Sequence, residues 1–242
     1  KNISSCNAPR QHQVLSAALK SRISSCSTPA RFNRKVITCG ATQKKRGPVV
    51  VVDNYDSFTY NICQYLGDLG CEYIVYKNDE KTVEEIKAMN PRGVLISPGP
   101  GHPVESGISL QAVKELGPLF PLFGVCMGHQ CIGEAFGGNV VKAPCGVLHG
   151  KTSPVFHTND GLMKGLKNPF QACRYHSLVI KRETLPEDLT VTAWTEDGTI
   201  MGVRHKKYPH VEGVQFHPES IITQDGKRIV ENFVKSLPPS DE

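Results

Sequence analysis

Two periodicities alternate along the chain from residue 49 onward. Residues 49–52 are four consecutive valines, the pattern of a strand buried on both faces. Phe58, Ile62, Tyr65, Leu66 and Leu69 then recur at helical spacing, with Asp56 or Ser57 as the expected N-cap and Gly70 as the stop. Residues 73–76 predict a second strand. Residues 82–89 predict a short helix opened by a Thr82/Glu85 capping box and ended before Pro91. Residues 93–97 read as a third strand. Leu110, Val113 and Leu116 mark a helix closed by Gly117 and Pro118. Residues 119–125 read as a fourth strand and residues 127–136 as a helix ended by Gly137 and Gly138. This strand–helix alternation predicts an α/β fold with a doubly wound, mostly parallel sheet flanked by helices.

The second half has a different texture. Residues 140–141 and 147–148 suggest short strands. Residues 189–195 and 199–205 flank Glu196-Asp197-Gly198, a hairpin signal. Residues 210–216 form another apolar run, and residues 227–237 an amphipathic helix with Ile229, Val230, Phe233, Val234 and Leu237 on one face. The sum is a mixed sheet with an antiparallel portion, in one domain without internal repeat or linker.

Composition changes the picture at one end only. Of 242 residues, the first 46 hold ten Lys/Arg, seven Ser and no acid; the other 196 hold 18 Lys/Arg and 23 Asp/Glu, a net charge of −5. A basic, Ser-rich, acid-free segment has the make-up of an organelle transit peptide, here of the plastid type, which implies a chloroplast stroma location. The expected division is therefore a leader over residues 1–46, disordered to about Gly47, and a domain over residues 47–242. The mildly acidic body lacks basic runs, so nucleic acid is not an expected partner. No apolar run approaches the roughly 18 residues of a membrane span.

Nine cysteines are present and none forms a CxxC pair, so neither a zinc site nor any other metal is expected. Cys6, Cys26 and Cys39 belong to the leader. Of Cys63, Cys71, Cys131, Cys145 and Cys173, most read as reduced, buried small hydrophobes. Cys126 stands apart. Gly124-Val125-Cys126-Met127-Gly128 is a strand-to-helix turn of G-x-C-x-G form, the thiol counterpart of a nucleophile elbow, and a helix N-terminus beneath it favours thiolate over thiol. Elsewhere, His217 and Glu219 follow the apolar run at 210–216; two residues apart in extended chain, they share a face, so the carboxylate can orient the imidazole toward a thiolate. Pro98-Gly99-Pro100-Gly101 follows the third strand and offers backbone N–H groups to an oxyanion together with that of Met127. Each segment leaves a strand end, where ligands bind in open α/β sheets.

Taken together, residues 124–130, residues 97–101 and Gln215-Phe216-His217-Pro218-Glu219-Ser220 resemble, in order and spacing, the class I (triad) glutamine amidotransferases across roughly residues 48–238. Residues 53–59 and 174–178 are similar to the chorismate-aminating branch of that family, the glutaminase components of anthranilate synthase and of aminodeoxychorismate synthase. The resemblance implies Cys126 as nucleophile, His217 as general acid/base and Glu219 as its orienting carboxylate. It implies a glutamine and oxyanion loop at Gly99, Pro100 and Gly101, a substrate contact at Gln130, and recognition of the glutamine α-amino and α-carboxyl groups by the backbone of Ser177 and Leu178. It further implies L-glutamine as substrate, no cofactor, and, for a partner, the chorismate-binding subunit of anthranilate synthase alpha type. A stand-alone γ-glutamyl hydrolase, or a non-enzymatic regulatory subunit on the same fold, are the rival readings. The other histidines read as structural or surface groups; His149 fits either the rim or partner face or a solvated turn, and His129 is given no catalytic role.

Overall fold

The computed structural model describes residues 45–239. The expectations for residues 1–44, including the three leader cysteines, lie outside the described residues. Gly47 forms a parallel bridge with Pro91, its N–H donating to the Asn90 carbonyl at 2.8 Å.

Strands β1 (Val49–Asp53), β2 (Tyr73–Lys77), β3 (Val94–Ile96) and β4 (Leu122–Val125) alternate with helices α1 (Thr59–Asp68), α2 (Val83–Ala88) and α3 (Ser109–Leu116), and α4 (Met127–Ala135) follows β4. The second half adds β5 (Val140–Lys142), β6 (Leu148–His157), β7 (Phe170–His176), β8 (Leu178–Ile180), β9 (Leu189–Trp194), β10 (Ile200–His205), β11 (Val211–Val214) and α5 (Gly226–Ser236). Nine strands form one sheet in the order β2-β1-β3-β4-β11-β10-β9-β6-β7, and β5 pairs separately with β8. Pairing is parallel from β2 to β11 and antiparallel from β11 outward. The expected mixed, mostly parallel-centred α/β sheet is the observed one.

Strand pleating sorts the core into two layers. Val49 and Val51 face α1 and α5 with Ile62, Leu66, Ile229 and Phe233, while Val50 and Val52 face the other way with Ile86, Val113, Leu116 and Ile132. This two-sided burial is why β1 is apolar throughout.

Local details differ from the sequence reading in a few places. The α1 N-cap is Phe58, without a side-chain cap; Asp56 instead accepts the Phe58 N–H at 2.8 Å in a turn one step earlier. The Thr82/Glu85 capping box forms as expected. Strand β4 starts at Leu122 because Leu119 and Phe120 both donate to the Leu116 carbonyl and complete a turn. Strands β7 and β8 were not expected, and β6 is far longer than residues 147–148. The chain of β6 is mostly exposed and carries Pro154, so it lacks the alternation that marks a half-buried strand. In β7 the inward positions include Arg174 and His176, which disguise a buried strand as a polar one.

Phe123 is fully buried, with Phe233 of α5 across the core at 5.4 Å between ring centroids. Replacing it with alanine should cost about 3–5 kcal/mol, read as a lowered urea midpoint with unchanged slope.

Candidate active site

Cys126 stands between β4 and α4 with φ 50° and ψ −95°, a left-handed backbone for a non-glycine residue. The flanking glycines make room for it. A Cβ on Gly124 would lie 2.4 Å from the Gly128 carbonyl carbon, and one on Gly128 would lie 2.4 Å from the Ile96 carbonyl oxygen. The turn is locked to the sheet by Cys126 N–H donating to the Val214 carbonyl at 2.8 Å, in continuation of the Val125–Val214 pairing of β4 with β11.

That pairing brings the distant segments together. After β11 the chain runs through Gln215 and Phe216 to His217, whose N–H donates to the Cys173 carbonyl of β7 at 3.0 Å and whose carbonyl accepts from Thr223 Oγ1 at 2.6 Å. His217 Nδ1 meets Glu219 Oε1 at 2.6 Å, with both residues buried. The other ring nitrogen, Nε2, has no hydrogen-bond partner among the described residues. Burial alone would lower the imidazole's pKa; the Cys126 thiol and the Glu219 carboxylate outweigh it and raise His217 to about 11. Burial, aided by Arg174, pushes His176 down to about 4, and burial pushes His129 to about 3.

A cavity of about 480 Å³ opens over this group. Gly99, Pro100, Gly101, Cys126, Gln130, Ser177, Leu178 and His217 all contribute to its wall. Glu219 is not on the wall because it stands behind His217. Met127 is not on it either: its side chain is in the core, although its N–H opens α4 and has no acceptor within the helix. Tyr55, Asp56, Ser57, Pro98, Tyr175 and His176 line the cavity without having been assigned a role, and His149 is at the rim, stacked on Tyr175 at 4.3 Å. Apart from His149 these lie inside segments 53–59, 97–101 and 174–178, which carry the family resemblance, although that resemblance attaches no role to them individually. His129 is fully buried and does not line the cavity, and Cys131 is core. Cys63, Cys71, Cys131 and Cys173 are buried, as expected for most of the remaining thiols; Cys145 is exposed, and Arg174 Nη2 donates to it at 3.3 Å.

Asn54 ties the β1 loop to the glycine-rich loop. It donates from Nδ2 to the Ser97 carbonyl at 3.0 Å, its N–H donates to Ser97 Oγ at 2.9 Å, and its Oδ1 accepts from Ser109 Oγ and Asn78 Nδ2. Gly99 packs so closely on it that a Cβ would come within 2.4 Å of the Asn54 Cβ. Within the loop only Gly99 and Gly101 have backbone N–H groups to offer, since proline has none. Among the described residues, no cluster of three or more His, Cys, Asp or Glu side chains could hold a metal ion.

A thiol on a strained elbow, beside an imidazole oriented by a carboxylate and under an open cavity, is the arrangement of an enzyme that works through a cysteine nucleophile. The model of the glutamine amidotransferase class-I family matches residues 50–237, and the chain belongs to that family. It is a glutamine amidotransferase. The chain is 66% identical over 198 residues to the Arabidopsis thaliana protein named anthranilate synthase beta subunit 1, chloroplastic, covering 80% of this chain and 72% of that one. It is 53% identical over 188 residues to the Bacillus subtilis aminodeoxychorismate/anthranilate synthase component 2, covering 78% and 96%. Among solved structures, a GMP synthase component from Thermoplasma acidophilum has the same fold, with a TM-score of 0.69 at 28% identity over 79% of this chain and 94% of that one.

The titration of the three buried imidazoles separates them. His217 holds its proton above the ordinary 6.5, so its contribution to stability is whole below about pH 6.5 and fades as pH rises toward 11. His129 and His176 refuse protons that the unfolded chain accepts, so each removes stability as pH falls from 6.5 toward 3 and 4. Ring-nitrogen NMR between about pH 5 and 8 should find His217 protonated and the other two neutral throughout. Glu219→Gln should bring the His217 transition downward; a wild-type His217 that deprotonates below about pH 7 contradicts this account.

Proposed function

We propose that this chain is the glutaminase component of an anthranilate synthase. It hydrolyses L-glutamine at Cys126 and delivers ammonia to a chorismate-binding alpha-type subunit, within tryptophan biosynthesis. The observation that carries the reading is Cys126 and the His217–Glu219 pair meeting at one cavity, in a chain two-thirds identical to a plant protein named for that role.

The Cys126 sulfur attacks the carboxamide carbon of glutamine. The oxyanion that forms is met by N–H groups of Gly99, Gly101 and Met127. Collapse expels the nitrogen, which takes the proton from His217 Nε2 and leaves as ammonia, with the γ-glutamyl thioester remaining on Cys126. Water then attacks the thioester, giving its proton to His217, and glutamate departs as the sulfur is released. Glu219 keeps the ring oriented and stabilises its positive form in both halves. Ser177 and Leu178 recognise the amino-acid end. The Leu178 carbonyl already accepts from Gln130 Nε2 and His176 Nδ1, so the recognition left to Leu178 is through its N–H; the Ser177 carbonyl accepts only from Ala143 N–H and keeps a lone pair for an ammonium.

Residues 1–46 we assign to a plastid transit leader and residues 47–242 to the catalytic domain, with the chloroplast stroma as destination. The basic, acid-free composition supports this, as does the chloroplastic name of the Arabidopsis relative. A second reading has one observation behind it: the Bacillus relative is named for aminodeoxychorismate as well as anthranilate.

Cys126→Ser should abolish glutamine hydrolysis, a fall of at least about a thousandfold. The reconstituted complex with the alpha-type subunit should still aminate chorismate from free ammonium. Glutaminase activity surviving in Cys126→Ser removes the assignment, and identifying the complex's product separates anthranilate from aminodeoxychorismate. A chain that releases ammonia but never transfers it to such a subunit is a stand-alone hydrolase.

A further inference from the structure

The triad accounts for one side of the Cys126 sulfur. On the other side is Gln215, fully buried, whose Nε2 is 3.5 Å from Sγ. Two facts of position put it there. The Val125–Val214 pair of the parallel ladder sets residues 126 and 215 side by side, and Gln215 N–H donates to the Met201 carbonyl, which fixes its backbone from β10.

Which end of the Gln215 amide faces the sulfur follows from the neighbours. Arg174 can only donate, and its Nε is 3.1 Å from His176 Nε2, so that nitrogen is the acceptor and the proton of the neutral ring is on Nδ1. Nδ1–H therefore donates to the Leu178 carbonyl at 3.2 Å. That carbonyl can only accept, so the Gln130 atom 3.2 Å from it is Nε2. The same Nε2 is 3.2 Å from Gln215, which must present its oxygen there. Gln215 thus has its NH2 toward Cys126. The direction of every bond is set by a guanidinium at one end and a peptide carbonyl in the middle, and neither amide in this series can flip without leaving a buried group unpaired.

We infer that Gln215 is a further catalytic residue, whose amide N–H donates to the Cys126 sulfur and holds it, as thiolate, in the line of attack while His217 serves the leaving nitrogen. Both Gln130 N–H groups are consumed by Leu178 and Gln215, so Gln130 meets substrate only through its oxygen. Substrate binding at Gln130 and the state of the sulfur are then joined through one amide. A hydrogen bond donated to a charged sulfur is of the stronger, charge-assisted kind, and its donor, Gln215, is itself fully buried.

The inference rests on Cys126 being the nucleophile, so the test reads the sulfur without glutamine. In the full chain, alkylation of Cys126 by iodoacetamide at neutral pH is followed by peptide-resolved mass spectrometry, with the exposed Cys145 as internal reference. Gln215→Met, close in shape and without the donor, should slow Cys126 alkylation at least about threefold, leave Cys145 unchanged, and lower the glutaminase kcat about tenfold with KM within about twofold. Gln130→Met, which does not touch the sulfur but frees the Gln215 oxygen, should slow alkylation by a smaller factor. Wild-type alkylation of Cys126 in folded Gln215→Met, judged by its melting transition, overturns the proposal. Should that variant not fold, a wild-type rate in Gln130→Met overturns it equally. Failure of the glutaminase assignment would instead appear as activity in Cys126→Ser, whatever these rates are.

Discussion

The parallel pairing of β4 with β11 is the contact on which the site depends. Val125 lies opposite Val214, and the next N–H, that of Cys126, bonds to the Val214 carbonyl. Parallel strands leave a sheet at the same edge, so the elbow on one and the Gln215–Glu219 segment on the other emerge together. Groups 89 residues apart, such as Cys126 and Gln215, become neighbours through this register. A slip by one residue would turn every side chain of β11 to the opposite face and carry His217 away from the thiol. Strand β11 is also where the sheet changes character, being parallel to β4 and antiparallel to β10, so the doubly wound half and the hairpin half share it.

Around that register the site is built by close approach of backbone to backbone. Gly124 and Gly128 let α4 leave β4 at an angle that no Cβ would permit, and Gly99 lets the loop after β3 lie on Asn54. The unfavourable φ at Cys126 is retained because the residues on either side, Val125 and Met127, are locked in the core. Polar contacts of the sulfur are few: Gln215 Nε2 at 3.5 Å and the Tyr175 carbonyl at 3.9 Å, with Gln130 bonded behind Gln215 and Glu219 behind His217. Because these groups are buried and mutually paired, each bond has a single workable direction, and Glu219 faces the positive charge on His217.

Periodicity alone made the first half legible. The valines of β1, the capped helix at Thr82 and the glycine-flanked turn at Cys126 each express a strong local preference that agrees with the fold around it. The antiparallel flank was harder to read. Strand β6 is exposed along most of its length, so no alternation marks it, and β7 carries Arg174 and His176 inward, where a strand normally places apolar groups. These inward polar groups are those of the hydrogen-bond chain that ends at the sulfur. Tyr55, Ser57 and Tyr175 lie in segments 53–59 and 174–178, which the family resemblance marks, but that resemblance attaches no role to these side chains; what they do comes from facing a cavity built by several segments.

By itself, the order of residues determined what kind of chemistry was present: a thiol between glycines, a histidine two places from a glutamate, and a loop whose only N–H groups belong to glycines. Those are local properties, fixed by side-chain type and by the backbone angles that glycine and proline allow. Tertiary structure alone decided which atoms face one another. It assigned Nδ1 of His217 to the carboxylate, turned the Gln215 amide toward the sulfur, and left His129 sealed from the cavity although it is three residues from the nucleophile. Such outcomes depend on strand register and on the pairing of buried donors with acceptors, which hold between segments far apart in the chain and are written in no single stretch of it.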